Sequence, residues 1–180
     1  AEAPLGRAGL SAGRAVPRRP EPDQIPVHMR IIAIGDHPPA WVAAGVEEFR
    51  RRMPAGYRLE IEDLATARRG ARSQDAVQDE GRRLLASLGR DEFVVALDEQ
   101  GREFATLELV TWLRERLQDG RDLAFLIGGP DGLAPAVHAR CELRWSLSRL
   151  TFPHALVRVL LVEQLYRAHS VISGHPYHRE

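Results

Sequence analysis

The sequence contains no lysine, because all 25 residues counted as Lys or Arg are arginines. This absence excludes an NTPase of the phosphate-binding-loop type, whose motif needs a lysine to reach the phosphates. An arginine-only basic set is typical of GC-rich coding rather than of a particular function. The 25 Asp and Glu residues bring the formal net charge to zero. Any nucleic-acid contact must therefore use a local arginine cluster rather than an overall basic field.

The sequence also has only one cysteine, Cys141, and no apolar run long enough to span a membrane. A single cysteine excludes an internal disulfide framework and a cysteine metal site, and we expect it to be a small core residue in a reducing cytoplasm. The N-terminus lacks the apolar segment of a secretory signal. These absences predict a soluble, cytoplasmic protein without a membrane segment.

Residues 1–28 differ in composition from the rest of the chain. They contain five prolines and four arginines and show no periodic apolar pattern. Such a segment cannot bury enough apolar surface to order itself. We therefore expect a disordered leader or extension over 1–28 and a single domain over 29–180.

The remainder alternates between strand and helix patterns. Short apolar runs predict five strands, and apolar residues at helical spacing predict helices between them. This alternation is typical of an α/β protein with a roughly five-stranded, mostly parallel sheet and helices on both faces. The predicted strands are 29–34, 57–64, 93–97, 123–127 and roughly 144–147. The predicted helices are 41–52, 73–88, 155–171 and a helix that Thr106 caps and Gly120 ends.

The last predicted helix is apolar on nearly every side. Its side chains Leu156, Val159, Leu160 and Leu165 do not fit on one face. A helix of this kind needs more apolar contacts than a monomer of this size readily offers. We therefore expect a homodimer.

Two loops follow buried strands near the C-terminus. The strand Leu123–Ile127 opens into Gly128-Gly129-Pro130-Asp131-Gly132, where glycines allow backbone to approach a ligand closely. The next strand opens into Ser148-Arg149-Leu150-Thr151-Phe152, which is rich in hydroxyl groups and backbone donors and ends at a proline that suits a helix start. The two loops can face each other across one ligand.

These residues carry a family resemblance. The segments LIGGPDGL, WSLSRLTFPHALVRVLLVEQLYRA and HPYHRE resemble the RlmH family of SPOUT methyltransferases. More loosely, the resemblance extends over Met29–Glu180, because MRIIAIGDHPPAW and ATARRGARS are similar to the opening strand and basic loop of that family. Residues before Met29 have no counterpart.

The resemblance implies a fold, a reaction and a set of ligands. It implies a deep trefoil knot in the C-terminal half and methylation of N3 of a pseudouridine in 23S ribosomal RNA of the large ribosomal subunit, with S-adenosylmethionine as the cofactor. The RNA-contacting arginines would be Arg68, Arg69 and Arg72, with Arg179 in the tail. The cofactor residues implied by matching positions are Leu97, Gly128, Leu147, Ser148, Arg149, Leu150, Thr151 and Phe152.

The acceptor nitrogen is protonated at neutral pH, so a group must remove its proton or stabilise the resulting anion. The sequence offers five groups for this role, His154, Arg158, Tyr177, His178 and Arg179, of which we predict His154, Tyr177 and His178 as catalytic residues. His154 follows Pro153 at a helix start, where the positive end of the helix dipole favours a neutral imidazole. The tail residues can stack on a base, and which group acts as the base stays open, as does the choice between free RNA and an assembled ribosome.

Other interpretations of these residues are weaker. Neighbouring Asp98 and Glu99 point apart, which disfavours a paired-carboxylate acid/base site. The histidines between 154 and 178 lack metal-site spacing, so no metal is expected. The glycine loop does not match the dinucleotide fingerprint, which disfavours an oxidoreductase. A non-enzymatic ribosome-binding module would need the arginines but not the Leu147–Phe152 loop.

Overall fold

The computed structural model describes residues 27–35, 37–54, 56–67 and 73–177. Strands and helices alternate along these segments. The five strands form one sheet in the order β2-β1-β4-β3-β5, and every pairing between them is parallel. The elements are β1 Val27–Ile34, α1 Ala40–Arg50, β2 Tyr57–Leu64, α2 Ser73–Ala86, β3 Phe93–Glu103, α3 Thr106–Asp119, β4 Leu123–Ile127, α4 Pro135–Arg140, β5 Leu143–Ser146 and α5 His154–Ile172.

The sheet separates two apolar cores, because successive side chains of a strand point to opposite faces. In β1, Ile31 packs into the larger core and Ile32 into the smaller one. Helices α1, α3 and α5 contribute to the larger core, while α2 and α4 cover the other face. The predicted five-stranded parallel sheet with helices on both faces is therefore confirmed for the described residues.

Several predicted boundaries are wrong. β1 begins at Val27 rather than Met29, and its first residues pair with β2. β3 does not end at Leu97 but continues to Glu103 across a register shift. Gly101 allows this extension, because a Cβ there would lie 2.6 Å from the backbone carbon of Arg144.

Two features of the helices also differ from the sequence prediction, the start of α3 and the presence of α4. Thr106 is the first residue of α3 rather than its cap, and the preceding Ala105 amide donates to the Glu108 carboxylate at 2.8 Å. The short helix α4 was missed, although Pro135 occupies its first turn as prolines often do. Six residues give too little periodicity to show an amphipathic pattern.

Helix α5 is buried on one face only. Leu161, Val162 and Leu165 are fully buried, whereas Leu156 and Leu160 are half-buried and lie one turn apart. In the part of the chain that the structure describes, neither Leu156 nor Leu160 is among the side chains that pack into the two cores. None of the described helices, α5 included, combines the length and the apolar character that crossing a membrane requires.

Candidate active site

A cavity of about 670 Å³ opens beyond the carboxyl ends of β4 and β5, beside residues 97–100 of β3. β3 lies between these two strands and shifts register there, and the start of α5 closes one side. Ligands of open parallel sheets characteristically bind beyond the carboxyl ends of strands. The predicted site residues that line the cavity are Leu97, Gly128, Leu147, Ser148, Leu150, Thr151, Phe152 and His154.

The glycine loop forms one wall of this cavity. Gly132 has a φ of 89° and its amide donates to the Gly129 carbonyl at 3.0 Å, which makes a tight turn. A Cβ on Gly128 would lie 2.7 Å from the Gly132 carbonyl oxygen and 2.8 Å from Leu133 Cδ2. Gly128 is thus required by the packing of its own loop.

The loop after β5 forms the facing wall. The buried Ser146 hydroxyl donates to the Ser148 carbonyl at 2.9 Å, and the Leu150 amide donates to the Ser148 hydroxyl at 3.0 Å. These local bonds fix the backbone at its first turn. Leu150 remains 70% exposed despite being a large apolar residue. Arg149 is 88% exposed at its side chain and does not line the cavity, so of the predicted cofactor residues it alone lies outside the wall.

A polar group on a third wall was not predicted from the sequence. Asp98 accepts hydrogen bonds from Arg144 Nη2 at 2.8 Å and from the Gln100 amide at 2.8 Å, and His138 Nδ1 lies 3.5 Å away. Burial alone would raise the pKa of Asp98, but the Gln100 amide and the Arg144 guanidinium outweigh it and lower that pKa. Glu99 reaches the other loop, where the Thr151 hydroxyl lies 3.4 Å from its carboxylate.

The sequence contained a signal for only one member of this group. Asp98 follows the predicted end of a buried strand, but Arg144 begins another predicted strand, so their contact depends on the register that pairs Ala96 with Arg144. His138 carried no such signal, because its helix α4 was not predicted. Asp98 and Glu99 both line the cavity, but Asp98 pairs with Arg144 rather than with Glu99.

His154 occupies the first position of α5 and lines the cavity. Its Nε2 lies 2.6 Å from the Ile34 carbonyl oxygen, and since a carbonyl only accepts, Nε2 carries the proton. Burial lowers the pKa of His154; the Ile34 carbonyl opposes this shift and nearby Arg158 adds to it. A neutral ring in this tautomer leaves Nδ1 as the proton acceptor. Burial is the largest cause of the lowered pKa, and the position of His154 at the start of α5 also favours a neutral ring.

Arg158, one turn further along α5, is a structural clamp. It is 4% exposed and donates to the carbonyls of Ile34 at 3.0 Å and Gly35 at 2.6 Å, and it forms an ion pair with Asp63. These contacts join the carboxyl ends of β1 and β2 to the start of α5. They hold His154 at the edge of the sheet.

Tyr177 lies away from the cavity of its own chain. After α5, Gly174 adopts a φ of 69° and the chain reverses, with the His175 amide donating to the Ser170 carbonyl at 2.8 Å. The Tyr177 hydroxyl then donates to Glu163 Oε1 at 3.0 Å, and its ring lies 4.7 Å from that of Tyr166. Burial, followed by the Glu163 hydrogen bond, raises the pKa of Tyr177.

The other predicted site residues lie outside the described residues. These are the RNA-contact candidates Arg68, Arg69, Arg72 and Arg179 and the catalytic candidate His178. Among the residues that are described, no group of three or more His, Cys, Asp or Glu side chains is placed to hold a metal ion. Burial raises the pKa of Cys141 to about 11, which keeps its thiol protonated.

Comparison with known proteins identifies the family. A model of predicted SPOUT methyltransferases matches residues 27–178. A protein of Alkalilimnicola ehrlichii called ribosomal RNA large subunit methyltransferase H is 53% identical over 155 residues, covering 85% of this chain and 99% of that protein. A protein of the same name from Thioalkalivibrio sulfidiphilus is 49% identical over 156 residues, covering 86% of this chain and 100% of that protein.

A third relative of that name, from Chromohalobacter salexigens, is 47% identical over 153 residues, covering 84% of this chain and 99% of that protein. The family match spans the whole described region, and these relatives correspond to it over nearly their full lengths. The resemblance carried by the two loops and the tail is thereby confirmed. This chain belongs to the SPOUT methyltransferase family, as a relative of the ribosomal RNA large subunit methyltransferases H.

Proposed function

We propose that this protein transfers a methyl group from S-adenosylmethionine to N3 of a pseudouridine in 23S ribosomal RNA of the large subunit, and that it does so in the cytoplasm. The observation that carries the proposal is the cavity beyond the carboxyl ends of β4 and β5, beside β3, which gathers seven of the eight predicted cofactor residues. The names of the relatives support ribosomal RNA as the substrate. The pseudouridine and its N3 position rest on the family resemblance.

The cavity suits the proposed cofactor in size and in charge. A volume of about 670 Å³ falls within the range of small-molecule sites. Apolar side chains such as Leu97, Ile127 and Leu147 offer a slot for the adenine ring, while Glu99 places a carboxylate beside a ligand that carries positive charge. When bound, S-adenosylmethionine supplies an electrophilic methyl group on its sulfonium. The protein then has to hold the acceptor in line and exclude water.

His154 is the group within the cavity best suited to accept the proton of the acceptor imide. The hydrogen bond from Nε2 to the Ile34 carbonyl fixes the ring and leaves Nδ1 free to accept. The lowered pKa keeps the imidazole neutral at physiological pH. Tyr177 and His178, in the tail, remain proposed as the groups that hold the nucleobase being methylated.

We further propose that the tail acts across a homodimer. The outer face of α5, with Leu156 and Leu160, and the exposed Trp41 and Leu150 provide apolar surface beyond the two cores. Tyr177 packs on α1 and α5 of its own chain, through Phe49 and Tyr166, and does not line its own cavity. Because Tyr177 does not line the cavity of its own chain, we propose that the tail serves the cavity of the partner subunit.

The RNA contacts are proposed to come from Arg68, Arg69, Arg72 and Arg179. The first three follow Ala67 in the chain. Arg83 anchors the backbone just before Ala67, because its Nη1 donates to the Ala65 carbonyl at 2.6 Å. Arg82, with a side chain 75% exposed, can extend the basic surface. Contacts of this kind to phosphates position an RNA without reading its sequence.

The deep trefoil knot is also a proposal. It is supported by the family and by the strand order, in which β4 lies between β1 and β3 although β3 precedes it in the chain. A knot at this place would surround the cavity edge with chain and hold its loops with little freedom.

Calorimetry with S-adenosylmethionine and NAD separates the methyltransferase from the oxidoreductase that the glycine loop suggested. We expect heat on addition of S-adenosylmethionine and none with NAD. Binding of NAD alone would overturn the proposal. RNA binding without binding of either ligand would instead favour a non-enzymatic ribosome-binding module.

A further inference from the structure

One buried carboxylate has no role in the chemistry proposed above beyond a charge that acts to raise the pKa of His154. Glu80, in the middle of α2, is 5% exposed and lies against both Ala67 and the glycine loop. Its Oε1 accepts a hydrogen bond from the Ala67 amide at 2.9 Å. Ala67 is the residue from which the arginine-bearing stretch 68–72 continues.

The same carboxylate supports the glycine loop of the cavity. A Cβ on Gly129 would collide with Oε2 of Glu80 and lie 3.1 Å from its Cδ. Gly129 is itself buried, so a side chain there would have to displace the Glu80 carboxylate. The carboxylate therefore fills the space between α2 and the cofactor wall.

A buried carboxylate is costly to maintain, so its retention needs a reason. A purely structural reason exists for the comparably buried Glu92, which is also 5% exposed. Glu92 accepts from the Gly89 amide at 2.6 Å and from Arg30 at 2.8 Å, at the end of the sheet opposite the cavity. Glu80 differs because it lies against Ala67, which precedes the proposed RNA-contacting arginines, and against Gly129 in the loop that lines the proposed cofactor site.

We propose that Glu80 is a positioning residue that ties Ala67 to the glycine loop of the cofactor cavity. The inference rests on the proposed function, because it assigns RNA to the arginines that follow Ala67 in the sequence and the cofactor to the glycine loop. Its physical content is that a change at the glycine loop is transmitted to Ala67, and a change at Ala67 to the loop, through the Glu80 carboxylate.

A double-mutant cycle tests this transmission. Gly129→Ala should push the Glu80 carboxylate away from Ala67, so the Ala67 amide should exchange its hydrogen about fivefold faster or more. Glu80→Ala should produce the same faster exchange, and it should weaken binding of large-subunit ribosomal RNA by about fivefold. Adding Gly129→Ala to the Glu80→Ala protein should change the Ala67 exchange rate by less than about twofold, because the connecting group is already gone.

The affinity for S-adenosylmethionine provides the second readout of the cycle. Gly129→Ala should weaken it strongly in the original protein and much less in the Glu80→Ala background, since the collision requires Glu80. Glu92→Ala is the matched control for loss of a buried carboxylate. It should lower the melting temperature while leaving the exchange of Ala67 and both affinities within about twofold of the original.

Equal effects of Gly129→Ala in both backgrounds, or unchanged Ala67 exchange in Gly129→Ala, would overturn the role of Glu80. Failure of the proposed function has a different signature. If Arg68, Arg69 and Arg72 do not contact RNA, replacing all three by alanine leaves RNA affinity unchanged, whereas the exchange results at Ala67 stand. If the cofactor is wrong, no variant or original protein binds S-adenosylmethionine.

Discussion

The two ends of α5 serve different surfaces. At its start, His154 and Arg158 are tied to the carboxyl end of β1, and His154 lines the cavity. Beyond its end, the chain turns back, and Tyr177 rests on Glu163 and Tyr166 in the middle of the same helix. One end is fixed by backbone carbonyls at the end of a strand, while Tyr177, beyond the other end, is held by side-chain contacts. The comparison indicates that His154 is anchored to the sheet, whereas Tyr177 of the tail packs on α1 and α5.

A change in the glycine loop of the cavity should have the largest effect, and it should act on cofactor binding. Replacing Gly128 by leucine forces a side chain into the Gly132 carbonyl and Leu133. Overpacking of this kind costs about 1–3 kcal/mol and displaces the loop. We expect the affinity for S-adenosylmethionine to fall by about a hundredfold or more in calorimetry.

The control for that variant is Gly120→Ala. Gly120 ends α3 with a φ of 72°, and a Cβ added there would meet no other atom of the described residues within 4 Å, so its replacement strains the backbone without touching the cavity. It should lower stability by about 1 kcal/mol and leave cofactor affinity unchanged. Equal cofactor affinity in Gly128→Leu and Gly120→Ala would remove Gly128 from the site.

Changes in the tail should separate binding from transfer. Replacing Tyr177 by alanine removes the ring contacts with Tyr166 and Phe49 but touches no residue of the cavity. We expect methyl transfer to fall by about a hundredfold, the size of effect that a misplaced acceptor can have, while cofactor affinity stays within about twofold. A single-turnover assay with labelled cofactor measures the first quantity, and calorimetry measures the second.

Mixed dimers decide which subunit the tail serves. A Gly128→Leu chain and a chain lacking residues 174–180 should each be inactive, yet a hybrid of the two should recover activity if tails act across the interface. Subunit exchange with no recovered activity would show that each tail serves its own cavity or none.

The cavity could be read from the sequence far better than the tail. The strand Leu123–Ile127 was predicted at both ends, because a short apolar run bounded by a glycine loop has few other interpretations. Parallel strands place their carboxyl ends at one edge, so the two loops were expected to meet. The hydrogen bond from Tyr177 to Glu163 was not predictable, since it depends on the turn at Gly174 and on packing between distant side chains.

The extension of β3 was not predicted either, because the local composition there favours a turn. Asp98, Glu99 and Gly101 have the composition of a turn, yet the strand continues to Glu103. Tertiary pairing decided the outcome, because Glu103 pairs with Ser146 of β5 and Arg144 neutralises Asp98. The third wall of the cavity was missed for this reason.

The smallest expected effect concerns acid stability at the start of α5. Burial lowers the pKa of His154 in the folded protein below its ordinary value of 6.5, so protonation favours the unfolded chain. The stabilising contribution is complete above pH 6.5 and is lost as pH falls through the folded pKa. His154→Gln keeps a donor for the Ile34 carbonyl, so its melting temperature should fall less than that of the original protein between pH 7 and pH 5. Parallel pH profiles would argue against a buried, neutral His154.

The most direct test of the account is methyl transfer itself. The protein is incubated with S-adenosylmethionine carrying a labelled methyl group and, in separate reactions, with large-subunit ribosomal RNA or whole ribosomes from cells that lack this protein. Mass spectrometry of the digested RNA then locates the label. The account predicts one labelled nucleoside, a pseudouridine methylated at N3, in 23S RNA from at least one of the two substrates. Label on another nucleoside or none in either reaction, despite measured cofactor binding, would contradict it.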